Sequence, residues 1–258
     1  MLTVDKLRNI VCGEDFVVND KIRVHNPTIG EIGSYGEERY LQDVNVLTMR
    51  AYDAAVFLWD LGKDFREVED YMVFIMLARN MLQDDLLILP GIQFSSLAVG
   101  INPATEELYL YNDDVIIDKL LYRKIVGAVR DINFIAEKPE VNPGSKYAVK
   151  MWVKREREKM ERAAKRRKPF ESPYADMISA LVNSKGFGYN YQSVQGVHIS
   201  QLMDSFYRIA KIQNYENTMH GIYSGCVDAK KIGKNVFDWF GPIDVNKREI
   251  DESKIIEV

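Results

Sequence analysis

Three histidines, His25, His198 and His220, and two cysteines, Cys12 and Cys226, are the side chains best suited to metal binding or nucleophilic chemistry in this sequence. Their spacing supports neither. No histidine stands in an H-E-x-x-H or H-x-E context, and no cysteine lies at ligand spacing from one of them. Cys226 and His220 would make a nucleophile pair only if the fold brought them together. Asp60, Gly62 and Asp64 resemble the start of a calcium loop. The sixth and twelfth positions counted from Asp60 are Phe65 and Tyr71, where such a loop needs glycine and glutamate. The run Gly30, Gly33, Gly36 lacks both the G-x-G-x-x-G spacing and the Gly-Lys-Ser/Thr that cradle phosphates, and Gly186-Phe187-Gly188 fails the same test. The acidic pairs Asp84-Asp85 and Asp113-Asp114 lie beside expected element ends, where capping and turn formation account for them. No catalytic, metal-binding or cofactor-binding residue emerges. The expectation is a protein that is not an enzyme and carries no cofactor.

Charge is the strongest compositional signal. Lys150–Lys168 holds ten basic and three acidic residues, a net +7, leaving −11 on the rest of a chain whose net charge is −4. Three readings compete. A charge-rich helix polar on nearly all sides can be a solvated connector between packed units. Clustered cations can release counterions from nucleic-acid phosphates, with Lys154, Arg155, Arg162, Lys165, Arg166, Arg167 and Lys168 as the contacts. The same residues suit an acidic protein partner. A sequence pI of ≈ 5.6 counts against a dedicated nucleic-acid binder.

Aromatic residues concentrate near the C-terminus, namely Tyr189, Tyr191, Tyr223, Trp239 and Phe240. Core packing is the plain explanation. A protein interface is the sharper one, because Tyr and Trp are favoured at binding hot spots.

The elements that must position these residues are mostly helical. Residues 15–25 pattern as a hairpin, with Phe16, Val18, Ile22 and Val24 alternating around Asn19-Asp20. Thr28 and Glu31 have capping-box spacing. Helices are expected from about Glu37, over Ala51–Leu61 up to Gly62, from about Arg66 to Leu82, and over Val115–Ile132. Residues 86–112 look extended, with a second hairpin formed by Leu97–Ile101 and Leu108–Tyr111 around Asn102-Pro103-Ala104-Thr105. Pro139, Pro143 and Gly144 mark a boundary. The basic segment Tyr147–Lys168 carries good helix formers and i,i+4 pairs Glu158–Arg162 and Glu161–Lys165, with little apolar stripe beyond Val149, Trp152, Val153 and Met160. Ser172-Pro173 restarts a helix, and a longer one covers about Ser200–Tyr223. The fold class is therefore mainly α with minor β (α+β). Two helical lobes are expected: 1–140, with the hairpins, and 170–245. A basic helical connector, 147–168, joins them, and a charged tail, 246–258, follows.

With 258 residues, 47% hydrophobic and 28% charged, the chain has an ordinary globular balance. Two cysteines make no disulfide framework, and two buried thiols in a reducing cytosol are expected. Met1–Arg8 lacks the basic-then-apolar pattern of a secretory signal, and runs such as Tyr71–Ala78 are too short to span a bilayer. The expectation is a cytoplasmic protein with no membrane partner.

Three segments carry a resemblance: His25–Ile32 followed by Gly36-Glu37-Glu38-Arg39-Tyr40; Gly186–Tyr191 leading through Val194–Ile199 into a long helix; and Asn214-Tyr215-Glu216 with Gly221–Gly225. Together they resemble proteins from the structural modules of tailed phages and prophages of Gram-positive hosts. The middle segment is also similar to tail-assembly chaperones. The basic connector and central hairpin depart from those small chaperones. The resemblance implies a non-catalytic morphogenesis protein of the tail or baseplate, either an assembly chaperone or a virion component. Its partners would be tail, tape-measure or baseplate proteins, met in the bacterial host's cytoplasm or retained in the virion.

Overall fold

The computed structural model describes residues 8, 10–136, 143–166, 169–241 and 243. Strands β1 (Phe16–Val17) and β2 (Arg23–Val24) pair antiparallel, with Phe16 opposite Val24. Their turn forms because the Asn19 side chain accepts from the Lys21 and Ile22 amides at 2.9 and 2.7 Å, a local bond that short amide side chains readily make. Helix α1 (Ile29–Tyr35) begins with a reciprocal capping box. The Thr28 hydroxyl accepts from the Glu31 amide at 3.2 Å, and the Glu31 carboxylate accepts from the Thr28 amide at 2.7 Å.

Helices α2 (Glu37–Thr48), α3 (Ala55–Asp60) and α4 (Asp70–Met81) follow. Next comes an antiparallel sheet in the order β3 (Ala98–Ile101), β4 (Leu108–Tyr111), β5 (Ile116–Ile117). Helices α5 (Lys119–Ile132), α6 (Lys146–Lys165), α7 (Pro173–Val182) and α8 (Ile199–Tyr223) complete the order. Among the described residues helix makes up 54% and strand 7%, so the fold is α+β and mainly helical.

Several boundaries differ from the periodicity. Ile116 and Ile117 do not start a helix. They add a third strand beside β4, with Leu110 opposite Ile117 and both fully buried, and Asp118 then caps α5 by accepting from the Leu121 amide at 2.7 Å. Helix α4 starts at Asp70 because Arg66 turns back onto the Asp64 carboxylate and donates to the Pro143 carbonyl at 2.7 Å. Leu86, Ile88 and Leu89 are buried without joining a sheet, and the Ile88 carbonyl accepts from the His25 amide at 2.9 Å.

Tyr40 is fully buried and donates to Asn133 Oδ1 at 2.9 Å, which satisfies its hydroxyl inside the core. Tyr71, Phe74 and Tyr122 form an aromatic cluster, and the Tyr71 hydroxyl donates to the Ile117 carbonyl at 2.7 Å. The first half of α6 lies against α3. Val149 and Val153 are buried there, and the Trp152 ring packs 5.0 Å from that of Phe65. From Lys159 to Arg166 every residue is exposed. The buried apolar cluster includes residues from Ile22 through Met203, with Tyr174, Leu181, Val194, Ile199 and Leu202 contributed by the last third. Among the described residues, no helix is long and apolar enough to cross a membrane.

Candidate functional site

Two of the three segments that carry the phage resemblance meet in space. Thr28 and His198 form an antiparallel bridge. The Ile29 amide donates to the Val197 carbonyl at 3.0 Å and the Ile199 amide to the Pro27 carbonyl at 2.8 Å. Beneath this bridge Asn26 Nδ2 donates to Ser200 Oγ at 2.8 Å, and both residues are fully buried. His198 Nδ1 lies 2.5 Å from the Asn26 carbonyl oxygen. A carbonyl only accepts, so that nitrogen carries the proton and is not a base toward Ser200. Gly13, at φ +69°, lets the chain pass over the His198 ring; a Cβ there would stand 2.2 Å from His198 Cδ2. The Gln201 side chain accepts from the His198 amide at 3.2 Å and donates to the Val11 carbonyl at 3.1 Å. Every one of these groups serves to lock the start of α8 onto the N-terminal segment.

His25 continues the seam outward. Its Nδ1 donates to Asp15 at 2.7 Å, and its Nε2 lies 3.5 Å from Glu31. Burial works against ionisation of Glu31. The Thr28 amide and hydroxyl, with His25 beside them, outweigh it and hold the carboxyl below the usual glutamate range. A second link lies nearby. The Ser172 hydroxyl donates to Glu37 at 2.6 Å and the Tyr174 amide donates to the same carboxylate at 3.2 Å, so the first residue of α2 holds the start of α7. Neither Asn26–Ser200 nor Glu37–Ser172 was visible in the sequence, because long-range polar pairs leave no local pattern.

The five C-terminal aromatics are all at the surface, from 40% exposed for Trp239 to 82% for Tyr223. They form two groups and a separate ring. Tyr189 packs against Phe187 at 5.1 Å, and Tyr191 hydrogen-bonds Asn183 and Ser179 near the end of α7. Trp239 and Phe240 lie together at 5.7 Å, with Tyr215 of α8 6.3 Å from Trp239. Arg208 donates to the carbonyls of Trp239 and Gly241 at 3.0 and 2.8 Å, clamping this backbone to α8 while the rings stay outward. Tyr223 stands on the last turn of α8. The spacing of Arg208 and Tyr215, two turns apart on one helix face, is the signal that could have found the clamp.

Lys154, Arg155, Arg162, Lys165 and Arg166 are exposed, whereas Arg167 and Lys168 lie outside the described residues. Arg162 reaches Glu158 at 3.4 Å, Lys159 reaches Glu156 at 2.6 Å, and Arg157 pairs with Asp60 of α3.

Both cysteines are exposed, contrary to the expectation of buried thiols. Cys226 follows the end of α8, in an exposed turn whose amides return to the Gly221 carbonyl. His220 is exposed as well. In the segment that resembled a calcium loop, Asp64 is held by Arg66 at 2.6 Å and Asp60 by Arg157, which commits both carboxylates to guanidinium groups. Asp84 accepts from the Ser95 hydroxyl and amide at 2.6 and 2.9 Å, a link across 11 positions rather than a local turn. Among the described residues no group of three or more His, Cys, Asp or Glu side chains could hold a metal ion. A concave site of ≈ 260 Å³ lies between Trp59, Gly62, Lys63, Asp64, Lys146 and Val149, at the contact of α3 with α6.

Residues 174–244 match the family model of the YomV second domain, YomV being a Bacillus phage or prophage gene product. That part of the chain is thus similar to a phage-associated domain. No curated protein and no solved structure matches the chain.

Proposed function

We propose that this is a phage morphogenesis protein that acts by binding proteins of the tail or baseplate, without catalysis. The observation that carries the reading is a coincidence of position. Tyr189, Tyr191, Tyr223, Trp239 and Phe240 all fall within residues 174–244, the stretch similar to a phage-associated domain, and all are exposed. Large aromatic rings held on ordered backbone contribute area to an interface at small conformational cost. The Arg208 clamp provides such backbone for Trp239 and Phe240. The buried seam anchors one end of α8, so the helix projects these rings from a fixed base.

Two forms of this role differ in outcome. As an assembly chaperone the protein would cover apolar surface on tape-measure or tail proteins until they polymerise, and then leave. As a virion component it would remain. Quantitative mass spectrometry of purified virions and of the infected-cell lysate separates them: stoichiometric presence in particles marks a component, and presence in the lysate alone marks a chaperone. A gene surrounded by host housekeeping genes, with the protein absent from phage-producing cells, would sink both forms.

A further inference from the structure

We propose that the outward face of α6 binds the phosphate backbone of nucleic acid. This rests on α6 alone and stands whether or not the aromatic surface binds tail proteins.

The helix has two unlike faces. Val149, Trp152 and Val153 face the body and are buried or packed on Phe65, and Arg157 on the same flank is paired to Asp60. At 3.6 residues per turn Lys150, Lys154, Arg155, Lys165 and Arg166, all exposed, spread over roughly half of the circumference away from the body, an arc that they share with Arg162, Glu158 and Glu161. Among the described residues none of these five has an acidic partner, whereas Arg157, Lys159 and Arg162 of the same helix do. The pairing thus takes up Glu156 and Glu158 in the middle of the helix and leaves the unpaired cations in two groups, Lys150 to Arg155 and Lys165 with Arg166. Lys150 to Lys165 covers roughly 22 Å at 1.5 Å per residue, which runs past about six phosphates of one strand at 3.4 Å each. Tyr147, 73% exposed, begins the same face one turn before Lys150 and offers a ring on which an unpaired base can stack.

An acidic protein fits this face less well. Protein interfaces form around an apolar centre and are depleted in lysine, and this face has no such centre between Lys154 and Arg166. A phosphate backbone needs only regularly spaced cations and gains from counterion release. The −11 carried by the rest of the chain repels phosphates elsewhere and orients the approach onto this one face.

The test is fluorescence anisotropy of the full chain against labelled single-stranded and duplex oligonucleotides, with labelled polyglutamate as a third probe. If all five cations meet phosphates, duplex affinity falls several hundred-fold between about 50 and 200 mM salt, following a log–log slope of about 0.9 per phosphate. Replacing Lys150, Lys154 and Arg155 by Gln should lower that slope by about 2.7, and replacing Lys165 and Arg166 by Gln should lower it by about 1.8, with helix content unchanged. Splitting the face this way keeps the test alive if one variant folds poorly. Tyr147→Ala weakening only the single-stranded probe, at unchanged salt slope, assigns single strands as the source of the phosphates; no effect assigns duplex. The proposal is overturned if neither oligonucleotide binds at low salt, if the folded Gln variants bind as tightly as the parent, or if polyglutamate binds more tightly than either nucleic acid.

Discussion

Asn26 and Ser200, 174 positions apart in the chain, meet side chain to side chain at 2.8 Å in a site closed to solvent. Because the pair is buried, the bond is made where a polar group left without its partner is costly. Asn26→Ala and Ser200→Ala should each destabilise the fold by about 1–3 kcal/mol. The double variant should cost less than their sum by roughly 1 kcal/mol, read from chemical denaturation of all four proteins. Strict additivity would mean that the two side chains do not support one another.

Two glycines with nearly the same backbone angle allow a controlled comparison. Gly13 and Gly62 have φ of +69° and +72°, but a Cβ on Gly13 would strike the His198 ring, while one on Gly62 meets nothing within 4 Å. Gly62→Ala should cost only the left-handed strain of an alanine, about 1 kcal/mol. Gly13→Ala carries the same strain plus displacement of His198, so its thermal midpoint should fall clearly further. Equal midpoints would show that the His198 contact contributes nothing to the seam.

Glu31 gives the seam a pH dependence of known sign. Its carboxyl is held below the ordinary glutamate value in the folded chain. Its contribution is therefore complete above about pH 4.5 and is lost as pH falls through the lower folded value. Glu31→Gln keeps an oxygen for the Thr28 amide but has no charge to lose. Thermal midpoints from pH 3 to pH 7 should fall less steeply on the acid side for the variant than for the parent, and parallel curves would remove Glu31 from the account.

The exposed second half of α6 bears on how the chain divides. Limited trypsin digestion should cut first within Lys159–Arg166, where no side chain is buried. Both cross-links, Asn26–Ser200 and Glu37–Ser172, join residues on opposite sides of that cut. We expect the pieces containing 1–140 and 170–245 to co-elute on native size exclusion and to part only in denaturant. A first cut elsewhere, or loss of helical signal on nicking, would contradict this.

What was legible in the sequence was local. Asn19 closing its own turn, Thr28 with Glu31, and Ser172 before Pro173 each complete their hydrogen bonds within three positions, so spacing alone reveals them. The hairpin of Leu97–Ile101 with Leu108–Tyr111 is likewise set by a short connection and alternation. Ile116-Ile117 escapes a periodicity reading because two β-branched residues before a helix carry no periodicity of their own; their strand character comes from lying beside β4. Exposure depends on what covers a residue, which spacing does not show: Cys226 lies in the turn after α8 and is exposed, as is Cys12. The exposed aromatics were named from their residue type. The seating of Trp239 and Phe240 on α8 depends on the Arg208 clamp, a contact across 31 positions that local sequence does not show.

The central claim is that the outward aromatic rings of residues 189–240 bind phage structural proteins. The most direct measurement is pairwise co-purification of the full chain with each tail, tape-measure and baseplate protein encoded beside its gene. The parent is compared with a variant carrying Tyr189→Ala, Tyr191→Ala, Tyr223→Ala, Trp239→Ala and Phe240→Ala. These side chains are exposed, so the variant should keep its helix content and thermal midpoint within a few degrees. The account predicts that at least one of those proteins is retained by the parent and lost from the folded variant. Retention of none of them, or equal retention by parent and variant, would contradict it.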